Sequence, residues 1–378
     1  MSIKETLLKN KIIWGVNSWI KEKKILAIYS HNVKHYEKMV EKDPQLPYLR
    51  KKPNILFVGT DERQDNTGFF QALCKTAGTV IAFTTEDGDW GQYKSNVKER
   101  KQKNTERLRR ILKETSVQID CILMQAWGAS FISSEINELK KSYGFIVINI
   151  DLDSRLVYKR IPYWGKDNPG IFGCTSYADL VLVSTREIVS WYKKEGVPAL
   201  YFPLASSNSF YYPMEDIKKI YDVGFIGSKY GLREKEVQFL QNSGIEIEAR
   251  GEGWEHGPIK FEENNLFFNQ CKIVLGMGNI SYCSNFFNPK LRDYDAPMSG
   301  SVYITNRTKE LEYDYTDGKD IILIDSWQDA ANKIKELLCD DDILEEIRVN
   351  AYNTAIYKHS YEKQFEDLFS KLSRIQEM

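Results

Sequence analysis

The chain has 378 residues, enough for roughly two domains of about 150 residues each with some left over. Its 42% hydrophobic and 28% charged residues are those of a globular protein, which excludes a disordered tail, a collagen-like fibre and a small disulfide scaffold. No apolar run approaches the roughly 18–20 residues that span a bilayer, and the opening MSIKETLLKNKIIWG lacks a secretory cleavage pattern, so the expected location is the cytoplasm.

The net charge of −1 hides an asymmetry. Residues 1–205 hold 32 Lys and Arg against 23 Asp and Glu, whereas residues 206–378 hold 20 against 30. The densest basic stretch, Lys94 to Lys113, sets nine cations against Glu99 and Glu106. It reads as a solvated helix face or as a surface for an anionic partner. From this basic half a peripheral contact at the inner face of a membrane is an expectation, and nucleic acid is not an expected partner. Cys74, Cys121, Cys174, Cys271, Cys283 and Cys339 are scattered without metal-ligand spacing. Cys121 and Cys271, inside apolar runs, read as small buried hydrophobes. His31 and His35 stand at i, i+4, but nothing nearby supplies a third strong ligand.

Residues 1–50 read as a helical extension, interrupted by Asp43-Pro44 and Leu46-Pro47. Pro53 to Gly59 is a short apolar run ending in glycine, the pattern of a buried strand feeding a loop. Asp65-Asn-Thr-Gly68 then opens a helix over 69–77. Further strands are predicted at 79–83, 121–125, 145–150, 180–183 and 200–202, with helices over 95–114 and 133–143. Such alternation predicts a parallel sheet covered on both faces. It restarts with a strand at 222–228, a helix over 232–242 and strands at 245–249, 272–275, 301–305 and 321–324. Helices near 289–298 and over 327–338 complete this second set. A connector at 203–221, with Ser206-Ser-Asn-Ser209 and Pro213, reads as a hinge. The tail from Ile343 is helical with a break at His359-Ser360. The expected fold is therefore α/β: two Rossmann-like domains facing a cleft, over 51–205 and 206–355, with a helix at 356–378 crossing back to the first domain.

In open parallel sheets ligands sit beyond the carboxyl ends of the strands. Gly59 and Gly227 fall there, where a glycine lets backbone approach a ligand and a helix start offers free N–H groups. Neither loop is a dinucleotide or P-loop motif. Ser228, Lys229 and Arg233 surround the second loop. Lys290 and Arg292 can neutralise a diphosphate, and Asp295 can accept two hydroxyls of a ribose. As plain structure, the same residues are surface cations and a helix salt-bridge partner.

The combination FIGS…LR, GEGW, KIVLGMG and KLRDYDAPMSGSVYIT resembles the spore-maturation-type (CgeB-like) glycosyltransferases of the retaining GT-B group. Arg292-Asp-Tyr-Asp-Ala-Pro-Met-Ser-Gly300 is similar to that group's nucleotide-sugar segment R-x-[FY]-E-x-x-x-x-G, with Asp295 in place of glutamate. His359-Ser-Tyr361 echoes a tail signature. Two departures stand out: the shorter acid at 295, and Phe287 eight residues earlier, where related enzymes carry a second acid. The resemblance implies a nucleotide-sugar donor on the second domain, with Tyr294 and Gly300 joining the residues above, and no divalent metal or other cofactor. It puts a glycan, lipid-linked or protein acceptor on the first domain, beside Gly59, Thr60, Asp61, Gly68, Trp127 and Gly128.

Three further features compete for catalytic roles. Asp151-Leu-Asp153 ends an apolar strand, and two carboxylates so spaced can face one metal ion, line the acceptor site or cap the strand. His256, in a glycine-rich loop with Trp254, can cover the donor, with the indole stacking on a ring. Gly278 and Asn279, after another strand, can approach the sugar. Asp151, Asp153 and His256 would also be the candidate bases of a nucleotide-sugar epimerase, the alternative to a transferase. A binding protein without catalysis is the third reading.

Overall fold

The computed structural model describes residues 11–59, 68–84, 97–128, 130–159 and 169–374. The chain divides into two compact units. One takes Met39–Phe210 with Ala355–Met378, and the other takes the described part of Met1–Lys38 with Tyr211–Thr354.

The first unit is built on a six-stranded sheet: β1 (Ile55–Val58), β2 (Val80–Ala82), β3 (Cys121–Met124), β4 (Ile146–Asp151), β5 (Leu180–Val183) and β6 (Ala199–Tyr201). Every pairing is parallel, in the order β2-β1-β3-β4-β5-β6. The continuous apolar runs of β1, β3 and β5 are explained by burial on both faces, since all their residues are buried. Leu56, Val58, Ile122, Met124 and Val147 meet helix residues Leu108, Leu112, Ile136 and Leu139 in one core. The C-terminal helix Tyr361–Ser373 packs in this unit against the helix Phe69–Thr76, with Tyr361 4.4 Å and Phe365 6.1 Å from the Phe69 ring.

The second unit holds β7 (Tyr221–Ile226), β8 (Ile247–Arg250), β9 (Cys271–Leu275), β10 (Val302–Asn306) and β11 (Ile322–Ile324). They are again all parallel, in the order β11-β10-β9-β7-β8. Val223, Phe225, Ile273, Leu275 and Ile304 pack against Val237 and Leu240 of the helix α1 (Arg233–Asn242) and Ile334 of the helix α2 (Trp327–Leu337). β8 starts two residues later than its apolar pattern. Gly244, at φ +83°, turns the chain so that Ile245 N donates to Leu240 O and stays with the helix end. Two short helices, Asn264–Gln270 and Lys309–Asp314, have too few apolar repeats to be read from sequence.

The two orders place ligand positions by topology. In each sheet consecutive strands diverge to opposite sides at one point, β1/β3 in the first and β7/β9 in the second. Chains leaving such a pair in opposite directions open a crevice at the strands' carboxyl ends.

Candidate functional site

At the β7/β9 switch point, Gly227 follows β7 with φ +155°. A Cβ there would lie 2.7 Å from Arg292 Nη1 and 3.2 Å from Arg233 Nη1, so the absent side chain makes room for two guanidinium groups. Arg233 begins α1, is 6% exposed, and donates from Nη1 to Ser228 O at 2.9 Å. Arg292 begins the helix Arg292–Met298, and its Nε and Nη2 are buried without a hydrogen-bond partner among the described residues. Burial, and next the Arg292 charge, lower the Arg233 pKa to about 10, so Arg233 stays cationic at neutral pH. A buried and a half-buried guanidinium side by side, with unpartnered N–H groups on Arg292, are an arrangement able to receive an anion with several oxygens.

The surrounding residues hold this arrangement. Trp254 Nε1 donates to Gly227 O at 2.7 Å, and Gly227 N donates to Arg250 O at 2.8 Å, fixing the loop after β7. Asp293 accepts from Lys290 N at 2.7 Å and from Tyr303 OH at 2.6 Å, which sets the start of the Arg292 helix. Burial raises the Asp293 pKa, opposed by those hydrogen bonds. Tyr294 OH donates to Asp314 Oδ2 at 2.6 Å and anchors the same helix from below. Asp295 is buried on it, and Gly300 ends it at φ +68° against Pro213. Tyr294 and Gly300 thus build the support, while Gly227, Ser228, Arg233 and Arg292 converge.

Lys229, Trp254 and His256 line a neighbouring cavity of about 260 Å³ with Glu234, Ile247 and Glu248. Lys229 pairs with Glu234 at 2.8 Å and lies 5.4 Å from the Trp254 ring. His256 is exposed, with Nδ1 2.8 Å from Glu248 Oε1. After β9, Gly278 N donates to Asn306 Oδ1 at 3.0 Å, and Asn279 Nδ2 donates to Cys283 O at 3.1 Å. A larger cavity of about 920 Å³ lies elsewhere, at the start of β11 beside Leu337 and Ile347, so it opens at the opposite end of the sheet from the arginines.

Glu236 escaped the sequence reading. One turn after Arg233, it is 5% exposed and accepts from Trp327 Nε1 at 3.1 Å. Burial raises its pKa to about 7, against the lowering effects of Trp327, Arg233 and Asn279. An acid at i+3 from a loop arginine was the available signal, since that spacing puts both on one helix face.

In the first unit, Asp151 is fully buried at the end of β4, where Ser154 Oγ and Tyr192 OH (2.8 Å) donate to its Oδ2. Burial, less strongly opposed by the Tyr192 bond, pushes its pKa up to about 7. Asp153 is exposed. Trp127, half-buried, packs on Val157 and Ile171, and Gly128 N donates to Gly170 O at 2.9 Å. Gly59 ends β1 and Gly68, at φ +111°, abuts Ser207. Thr60 and Asp61 lie outside the described residues. The basic stretch forms the helix Val97–Glu114, where Arg109 pairs with Glu135 and Lys103 with Glu99.

Residues 233–370 match the family model described as glycosyl transferase-like, a span that contains Arg233, Glu236, Arg292 and Asp295. Among solved structures, sucrose-phosphate synthase from Thermosynechococcus elongatus is similar at TM-score 0.62 and 11% identity, over 86% of this chain and 99% of that one. Anabaena Alr3699/HepE, in complex with UDP and glucose, is similar at 0.58 and 11%, over 85% and 99%. T4 phage BGT, in complex with its UDP-glucose substrate, is similar at 0.52 and 14%, over 84% and 99%. No curated protein sequence matches the chain. The two parallel sheets and these structural likenesses give the chain the two-domain GT-B fold, and its residues 233–370 are similar to the glycosyl transferase-like family. Among the described residues, no helix is long and apolar enough to cross a membrane.

Proposed function

We propose that this enzyme transfers a sugar from a nucleotide-sugar donor to a glycan, lipid-linked or protein acceptor. The observation that carries the reading is the meeting of two guanidinium groups at Gly227, the buried Arg233 and the half-buried Arg292, whose buried Nε and Nη2 have no partner among the described residues. A glycosyl bond breaks as negative charge grows on the departing diphosphate, and preorganised cations stabilise that charge most where water is excluded. In this reading Arg233 and Arg292 hold the diphosphate, Asp295 takes the ribose, and Trp254 lies along the base or sugar. Lys229 and Lys290 add positive charge at the rim. In this reading the arginines take up the leaving-group charge in place of a divalent ion, and retention is what the resemblance to the retaining GT-B group implies. The acceptor meets the first unit near Gly59, Gly68, Trp127 and Gly128, and the spore-maturation-type enzymes are the subtype the motifs favour. The neighbours bound to UDP or UDP-glucose make a UDP-sugar the first donor to try.

The deciding experiment is a thermal-shift panel of UDP-, GDP-, ADP-, CDP- and dTDP-sugars, with and without EDTA. A ligand of the native state raises its midpoint by mass action. One base class giving an EDTA-insensitive shift is the expected result. An EDTA-sensitive shift moves the site to Asp151 and Asp153 and a metal ion, and no shift with any donor overturns the reading. Product analysis with and without acceptor then separates a transferase from an epimerase, which acts on the donor alone.

A further inference from the structure

The helix Lys11–Tyr36 belongs to the unit of the second sheet and presents two different faces. Ser18, Ile25 and Tyr36 are buried on one side. Around that side, Lys21 Nζ donates to Tyr282 OH at 3.2 Å, Glu22 accepts from Ser284 N at 3.0 Å, and Tyr29 lies 4.4 Å from the Phe286 ring. These contacts seat the helix on the loop after β9. At about 100° per residue, Val16, Trp19, Ile20, Lys23, Lys24, Ala27, His31 and Lys34 fall together on the opposite side.

That outward row is exposed throughout. Its first part is apolar, with Val16 53%, Trp19 58% and Ile20 41% exposed. Its second part is cationic, and Lys23 lies 5.9 Å from the Trp19 ring. No acidic residue interrupts the row, and the first exposed carboxylate after it is Glu37, beyond the helix end. The contrast with the rest of the unit is sharp, because residues 211–354 carry 26 acidic against 16 basic side chains. A large exposed indole and two aliphatic side chains next to clustered lysines match the boundary between lipid headgroups and acyl chains. There the aromatic ring sits at headgroup depth and the ammonium groups meet anionic phosphates.

We propose that this face of the helix docks the enzyme on an anionic lipid surface. Val16, Trp19 and Ile20 enter the headgroup boundary, and Lys23, Lys24 and Lys34 pair with lipid phosphates. Each lysine at such a surface contributes on the order of a fivefold gain in partitioning, and the gain falls with salt.

The test sediments the full chain with phosphatidylcholine vesicles, with and without phosphatidylglycerol, at low and high salt. The chain is expected to pellet with the anionic vesicles, not with phosphatidylcholine alone, and to be released by salt. A Lys23→Glu/Lys24→Glu variant should lose at least tenfold in partitioning, and Trp19→Ser several-fold, with Tm and the donor-induced thermal shift unchanged. Failure to pellet on anionic vesicles, or pelleting unaltered in both variants, overturns the proposal. So does sedimentation velocity showing that Trp19→Ser converts a self-associated chain to monomer, which assigns the row to a second copy. Donor binding is read separately, so either result leaves the proposed transfer reaction to stand or fall alone.

Discussion

The guanidinium groups of Arg233 and Arg292 lie over the same Phe225 ring, 5.6 and 4.8 Å from its centroid. The ring face offsets part of the cost of burying each cation. It does not cancel their mutual repulsion, which with burial pulls the Arg233 pKa down to about 10. The two neighbouring cations therefore carry unfavourable electrostatics that a bound anion would relieve. That separates stability from function at these positions.

Arg292→Met is expected to leave the Tm of the unliganded protein unchanged or raise it, because a half-buried cation beside Arg233 is replaced by an apolar side chain that still covers Phe225. Nucleotide-sugar affinity is expected to fall about 100-fold, the scale of losing a charge-assisted contact in a desolvated site. Differential scanning fluorimetry and titration calorimetry read the two effects. A variant that loses stability but keeps its affinity places the diphosphate elsewhere.

On the proposed reading, Glu236 is expected to give donor binding a pH dependence. Its carboxyl is held near pKa 7 chiefly by burial, with Arg233 on its own helix, Trp327 on α2 and Asn279 in the loop after β9 facing it. Below pH 7 it is neutral and the arginines present their full charge. Above pH 7 the carboxylate offsets part of it. Affinity for a nucleotide-sugar is expected to weaken as pH rises through about 7, and binding near neutrality takes up a proton. The ligand must be the sugar-linked form, because a terminal phosphate itself titrates near 6. Calorimetry in buffers of different ionisation enthalpy checks the uptake. Glu236→Gln should abolish the uptake and tighten binding above pH 7; uptake that survives in the variant assigns the proton to another group.

Why the fold was legible and the site only partly so follows from the range of each signal. Runs such as Ile55–Val58 and Cys121–Met124 are apolar because they are covered on both faces, a constraint written locally in the chain. Glycine before a helix likewise marks Gly227 without any tertiary knowledge. The pairing of Arg233 with Arg292 across Phe225 is nonlocal, so the sequence exposed both cations but not their convergence. Tyr294 has a partner that the sequence does not reveal. Its neighbours in the segment 292–300 point to ligand, yet its hydroxyl is committed to Asp314 on a helix too short to be seen in advance. Glu236 looked like one more helix acid, because the groups that meet it, Trp327 and Asn279, come from distant parts of the chain.

Asp151 offers a stability test in the other unit. Its carboxyl takes hydrogen bonds from Tyr192 OH and Ser154 Oγ, yet burial outweighs them and holds its pKa near 7. A carboxyl with a raised folded pKa binds more protons folded than unfolded. Stability is therefore greatest below the unfolded value near 4 and is lost as pH rises toward 7. Asp151→Asn keeps an oxygen for Tyr192 and Ser154 without the charge. It is expected to match wild type near pH 4 and to exceed it at pH 8 by on the order of 1–3 kcal/mol. Glu236 imposes a slope of the same sign in the second unit, so the variant is compared with wild type at each pH rather than read alone. Urea unfolding at both pH values checks it. An asparagine variant weakened equally at pH 4 and pH 8 would show that the site was built for the ionised carboxylate, with the two hydroxyls outweighing burial.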